Sequence, residues 1–136
     1  MAIPAKLSGK SIKLVVFNND AGPITLFTVT GTVIVNVACT CLINVASAAA
    51  GSISVGISTA TAALMPVTVA SLMVADEIWH DATPDANIEL STVVNESIIA
   101  GAYDIILTAT AQIDTGRLEF YCFWSALSAN GLVVPA

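Results

Sequence analysis

The chain has 136 residues, of which 56% are hydrophobic and 10% charged, and its formal net charge is −6. This length suits one domain with a sizeable core, but a charged share far below the usual ~25% is a thin coat for the roughly one third of its surface that such a domain leaves exposed. Ten carboxylates against four cations exclude a nucleic-acid binder, which needs Lys and Arg clustered on one face, and the thin coat implies that other protein chains cover part of the surface.

Residues 1–10 contain Pro4, Ser8 and Gly9 and read as an extended N-terminal arm, followed by one domain over residues 11–136. The opening residues have no apolar run of signal-peptide type. Lys6, Lys10 and Lys13 concentrate three of the four cations at this end, ahead of a body in which Arg117 is the only other cation. A basic arm on an acidic body marks these three lysines as candidate contacts to an acidic partner.

Ser11 to Phe17 reads as a short strand with Ile12, Leu14 and Val16 on one face, and Asn18-Asn19-Asp20-Ala21-Gly22-Pro23 is a dense turn signal. From Thr25 to Ala46 the chain alternates: Phe27, Val29, Val33, Val35, Val37, Cys39 and Cys41 fall on one face, and Thr28, Thr30, Asn36, Thr40 and Asn44 on the other. A period of two is the strand signal, and Gly31 marks a bend, a bulge or a hairpin in one or two central strands. No residue from Ala21 to Ala75 is charged, yet the alternation, the β-branched content and the interspersed Thr and Asn speak against a membrane helix.

Ser52 to Thr59 alternates again, and Ala60 to Ala75, interrupted by Pro66, is ambiguous between strand and short helix. Glu77 to His80 reads as a short strand before a loop at Asp81 to Asn87. Ile88 to Ala100 reads as a strand with Ile88, Leu90, Val94 and Ile98 inward and Glu89, Ser91, Asn95 and Ser97 outward. Tyr103, Ile105, Leu107, Ala109 and Ala111 line the next strand, and Asp114-Thr115-Gly116 reads as a hairpin-type turn. Leu118, Phe120, Cys122 and Trp124 form one face of the last long strand, with Tyr121 and Phe123 on the other, and Asn130-Gly131 turns before the final residues. About eight short strands separated by turn signals give an all-β antiparallel sandwich or barrel.

The chemistry is sparse. Cys39 and Cys41 lie on the same strand face and are poorly placed to bond each other, so together with Cys122 they read as reduced, buried thiols. The only histidine sits in Asp76-Glu77-Ile78-Trp79-His80-Asp81, with Asp85 beyond. On a straight strand Glu77, Trp79 and Asp81 share one face and His80 the other, so the reading is an acidic loop with Trp79 packed inward and no metal site. No nucleophile elbow, phosphate loop or dinucleotide fingerprint is present, and no catalytic residue, cofactor or enzymatic activity is expected.

Four segments carry a resemblance: Gly31-Thr32-Val33-Ile34-Val35, the run Glu77 to Asp85, the run Phe120 to Ser128, and Gly131 to Pro135. Together, over Thr28 to Pro135, they resemble capsid decoration, or cement, proteins of tailed bacteriophages. The resemblance implies a jelly-roll sandwich, a homotrimer, the major capsid protein as partner, and a place on the outer surface of the virion head after synthesis in the host cytoplasm. It brings no catalytic residues, and neither nucleic acid nor a membrane is an expected partner. The alternative is a head-fibre base or tail-spike adhesin module that binds host glycans.

Overall fold

The computed structural model describes residues 9–85, 87–90 and 95–136. Among these the chain forms β1 (Gly9–Asp20), β2 (Ile24–Thr30), β3 (Val33–Ala46), β4 (Ser52–Ile57) and β5 (Ala60–Val69). After one 3-10 turn (Ala70–Leu72) follow β6 (Ile78–Trp79), β7 (Ser97–Ile99), β8 (Ile105–Ala109), β9 (Ile113–Ala126) and β10 (Leu132–Pro135). They pair into two antiparallel sheets, the two-layer arrangement of a β-sandwich. One sheet runs β1-β9-β3-β6, with β7 also on β3; the other runs β10-β2-β8-β4-β5. No helix among the described residues is long and apolar enough to cross a membrane.

The alternation explains the layers. Val33, Val35, Val37, Cys39 and Cys41 of β3 and Leu118, Phe120 and Cys122 of β9 point inward from one sheet. Phe27, Val29, Ile53, Val55, Ile105 and Leu107 meet them from the other. Trp79 is fully buried on β6, edge-on to Phe120 at 6.0 Å between ring centroids. Its indole Nε1 donates to Thr68 Oγ1 at 3.0 Å, so the one polar atom of the ring is satisfied inside the core.

The long alternating stretch breaks at Gly31, but not into a hairpin: β2 pairs with β8 and β10, whereas β3 pairs with β9 in the opposite sheet. Gly31 has φ 66°, a left-handed conformation that glycine adopts without strain, and a Cβ there would strike Ser128 and Asn130. Ala60–Val69 is a strand despite Pro66. It is an edge strand, and the register slips between its pairs at Met65 and Thr68, so no ladder donor is lost where the proline sits.

Other expectations are corrected. β1 starts at Gly9, so Gly9 and Lys10, expected in the arm, are ladder residues opposite Trp124 and Phe123. Asp114-Thr115-Gly116 is not a turn but lies within β9. Gly116, at φ 129°, lets the Val45 backbone approach where β3 bulges against it. Among the described residues the strand expected over Ile88 to Ala100 is present only at Ser97–Ile99, and its facing is reversed: Ile98 is exposed and Ile99 buried against Val33. Ile88 is 85% and Leu90 74% exposed, while Glu89 turns inward; Ser91 and Val94 lie outside the described residues. Tyr103 precedes β8 rather than joining it, because the chain passes through left-handed conformations at Gly101 and Ala102.

Candidate functional site

Two regions carry what the core does not use. The first is the outward face of the β1-β9-β3 sheet. Alternation along β1 turns Val15 and Phe17 into the core, so Ile12, Leu14 and Val16 face solvent at 41%, 45% and 54% exposure. Across the ladder Ile12 lies beside Tyr121, Leu14 beside Glu119 and Val16 beside Arg117, which in turn pairs with exposed Ile43. Tyr121 Oη donates to Glu119 Oε1 and is 3.1 Å from Thr40 Oγ1; burial and the carboxylate beside it raise its pKa. The result is an apolar row on a sheet edge with few charges, one of which, Glu119, is held by the Tyr121 hydroxyl.

The expected lysine contacts separate. Lys6 lies outside the described residues. Lys10 is exposed on the same side of β1 as Ile12. Lys13 faces the other way, and its Nζ donates to the backbone carbonyl of Ala136 at 2.6 Å, so it ties the two ends of the fold together within the chain.

The second region is a cleft of about 530 Å³ at the side of the fold where β5 and β6 end the two sheets. Ala62, Leu64 and Pro66 form one wall; His80, Asp81, Asp85 and Glu89 form the other. The straight-strand reading kept these side chains apart; the structure brings them together. The strand stops at Trp79, and the chain reverses at once: Ile78 and Asp85 exchange both backbone hydrogen bonds, at 2.9 and 2.8 Å. Asp81 Oδ1 accepts from the Thr83 amide at 2.9 Å and stabilises the turn.

His80 Nε2 thereby sits 3.3 Å from Asp85 Oδ2 and 3.2 Å from Glu89 Oε2, and its Nδ1 3.8 Å from Asp81 Oδ2. Glu89 is the member the sequence reading missed. A histidine followed by carboxylates at Asp81, Asp85 and Glu89 was the available signal, and the assumed strand over Ile88 to Ala100 hid it.

The three cysteines are free and buried, away from the cleft lining. Burial pushes the Cys122 thiol up to about 12. Burial, reinforced by the Glu77 charge, raises Cys41 to about 11, and Cys39 is raised well above its ordinary value, again chiefly by burial. Thiols held this firmly protonated are not nucleophiles at neutral pH.

Compared with family models, curated proteins and solved structures, the chain matches none.

Proposed function

We propose that this chain is a virion structural protein: a capsid decoration protein that forms a homotrimer and clamps neighbouring major capsid subunits on the outside of a phage head. The observation that carries the reading is the apolar row Ile12, Leu14 and Val16, continued by Tyr121 and Ile43, on an exposed sheet face. A lone edge strand of this kind invites pairing or aggregation unless something covers it. The whole chain has only 10% charged residues with which to keep such a surface soluble. Binding then works by area burial, at roughly 25 cal/mol per Å² before association costs.

Strand order supports the jelly-roll part of the proposal. One sheet has the order β1-β9-β3-β6 and the other contains β2-β8-β4-β5, the partition expected when two Greek keys share a sandwich, with β10 added at an edge. Residues 1–8 would then precede the first strand as an arm, and Lys10 lies on the same side of β1 as the contact row. The fold is shared by many functions, so the functional weight rests on the surface. A glycan-binding adhesin has less support. Trp79 is spent in the core, and Trp124 is partly buried with its Nε1 on Ser11 Oγ at 3.3 Å, so neither tryptophan is free to stack on a sugar.

The test is to add purified protein to undecorated phage heads and count bound copies. Leu14→Lys, a surface change, is expected to leave the fold intact and to reduce binding at least tenfold. Absence of binding by the wild-type chain, or undiminished binding by Leu14→Lys, overturns the proposal.

A further inference from the structure

We propose that the cleft beside β6 is a divalent-cation site, with His80, Asp81 and Asp85 as the converging protein ligands and Glu89, beside the imidazole, completing the shell, and that it takes zinc or a first-row neighbour. The inference is independent of the capsid reading.

The first argument is an unmet one. The His80 side chain is only 8% exposed, and its Nε2 has no hydrogen-bond partner; neither does the buried Glu89 Oε2. The two atoms are 3.2 Å apart, yet they are not aligned to bond. Buried polar groups are ordinarily satisfied, and each one left without a partner is costly. A group that accepts both the imidazole lone pair and the carboxylate oxygen relieves the two at once. A cation does this, whereas a proton on Nε2 does not correct the alignment.

Spacing agrees. Zinc holds His nitrogen and carboxylate oxygen at about 2.0–2.2 Å, which places neighbouring ligand atoms of a tetrahedral shell roughly 3.3–3.6 Å apart. His80 Nε2 lies 3.3 Å from Asp85 Oδ2 and 3.2 Å from Glu89 Oε2. Reachable atoms of His80, Asp81 and Asp85 all lie within 4.8 Å of one another.

Charge points the same way. Three carboxylates surround the imidazole, and among the described residues no Lys or Arg lines the cleft. A dication is the simplest neutraliser of such a set. One imidazole nitrogen among oxygens favours zinc, cobalt or nickel over calcium and magnesium, which prefer all-oxygen shells.

The ligands come from the end of β6, from the turn after it and from the segment beyond, so a bound ion adds a cross-link to a connection that the Ile78–Asp85 backbone pair and the Thr68–Asp81 contact already pin. The role assigned is a structural clip on the long β6–β7 connection.

The experiment uses the full chain, freed of metal by chelator and dialysis, and titrated with ZnCl2 by calorimetry. His80→Gln and Glu89→Gln are measured in parallel, and Asp114→Asn, a carboxylate outside the cleft, serves as control. One zinc per chain is expected, with a raised unfolding midpoint. Either cleft variant should weaken binding by more than the roughly 10–100-fold seen when an outer-shell partner is removed, and Asp114→Asn should not. Glu89→Gln, on a loop, keeps the test valid if His80→Gln fails to fold. Cobalt should give a visible spectrum without thiolate charge transfer. The proposal is overturned if the wild type takes up no stoichiometric zinc, if Glu89→Gln binds as tightly as wild type, if calcium and magnesium compete equally, or if the cobalt spectrum shows thiolate ligation.

Discussion

Trp79 connects the core to the cleft. Its ring packs edge-on to Phe120, its Nε1 donates to Thr68, and Thr68 Oγ1 also lies 3.2 Å from the carbonyl of Asp81, a residue that lines the cleft. Trp79→Ala is expected to cost about 3–5 kcal/mol, and Trp79→Phe, which keeps most of the packing but loses the indole donor, about 1–2 kcal/mol. Denaturant unfolding at unchanged slope reads both, and a loss below about 1 kcal/mol for Trp79→Ala would contradict the packing described. The thiols give a second expectation. Their folded pKa values lie above the ordinary 9.0, at about 11 for Cys41 and about 12 for Cys122. A raised thiol pKa means that the folded state holds its proton longer than the unfolded state. Stability from this source is therefore complete below pH 9 and is lost progressively as pH rises from about 9 toward 11–12. Replacing Cys122 by Ala should flatten the alkaline limb of the unfolding profile. Alkylation should be slow in native protein and fast in denaturant, and rapid labelling of the native chain would defeat this account.

At the level of elements, β9 is the strand on which its sheet depends, because it pairs along nearly its whole length with β1 on one side and β3 on the other. Gly116 is the weak point of that double ladder. Its φ of 129° suits few other residues, and an added Cβ would sit 2.7 Å from Val45 Cα. Gly116→Ala should thus destabilise by about 1–3 kcal/mol. Gly22→Ala, where a Cβ meets nothing within 4 Å, should stay within about 0.5 kcal/mol. Equal effects of the two substitutions, measured by thermal or denaturant unfolding, would count against the irregular β3–β9 register.

For the whole molecule the central quantity is the apolar surface left over after the two sheets have closed on each other. Purified protein at micromolar concentration is expected to sediment as an oligomer, and a folded, well-behaved monomer would remove the support for the proposed trimer. Salt separates two contributions to attachment. In the proposed attachment, covering exposed Ile12, Leu14 and Val16 would be insensitive to moderate salt, whereas charge pairs made by Lys6 and Lys10 would be screened within about 10 Å at 0.1 M. Removing residues 1–8 leaves the β1 ladder complete from Gly9 onward. That truncation is expected to preserve the fold and to weaken attachment mainly at low salt, by roughly 0.2–1 kcal/mol per lost pair and more through avidity in a trimer. Equal binding of full-length and truncated chains at every salt level would show that the first eight residues take no part.

The period of two determined the class: outside the irregularities at Leu26–Phe27 and after Cys41, alternation sets the side of most residues in the long strands, which made an all-β chain with its buried Val, Cys and Phe rows legible in the sequence. The small charged fraction likewise foretold an apolar surface, since there were too few charges to cover one. Only tertiary structure decided which of two apolar faces is core. In β1 both Ile12-Leu14-Val16 and Val15-Phe17 are apolar, and the choice depends on what β9 places opposite them. Pairing partners were equally hidden, because Gly31 permits a hairpin and a crossing between sheets alike. The cleft was the least legible part. Alternation assigns faces only while the backbone stays straight, and between Ile78 and Asp85 it reverses within eight residues, so His80 and Glu89, assigned to two separate strands, meet at 3.2 Å.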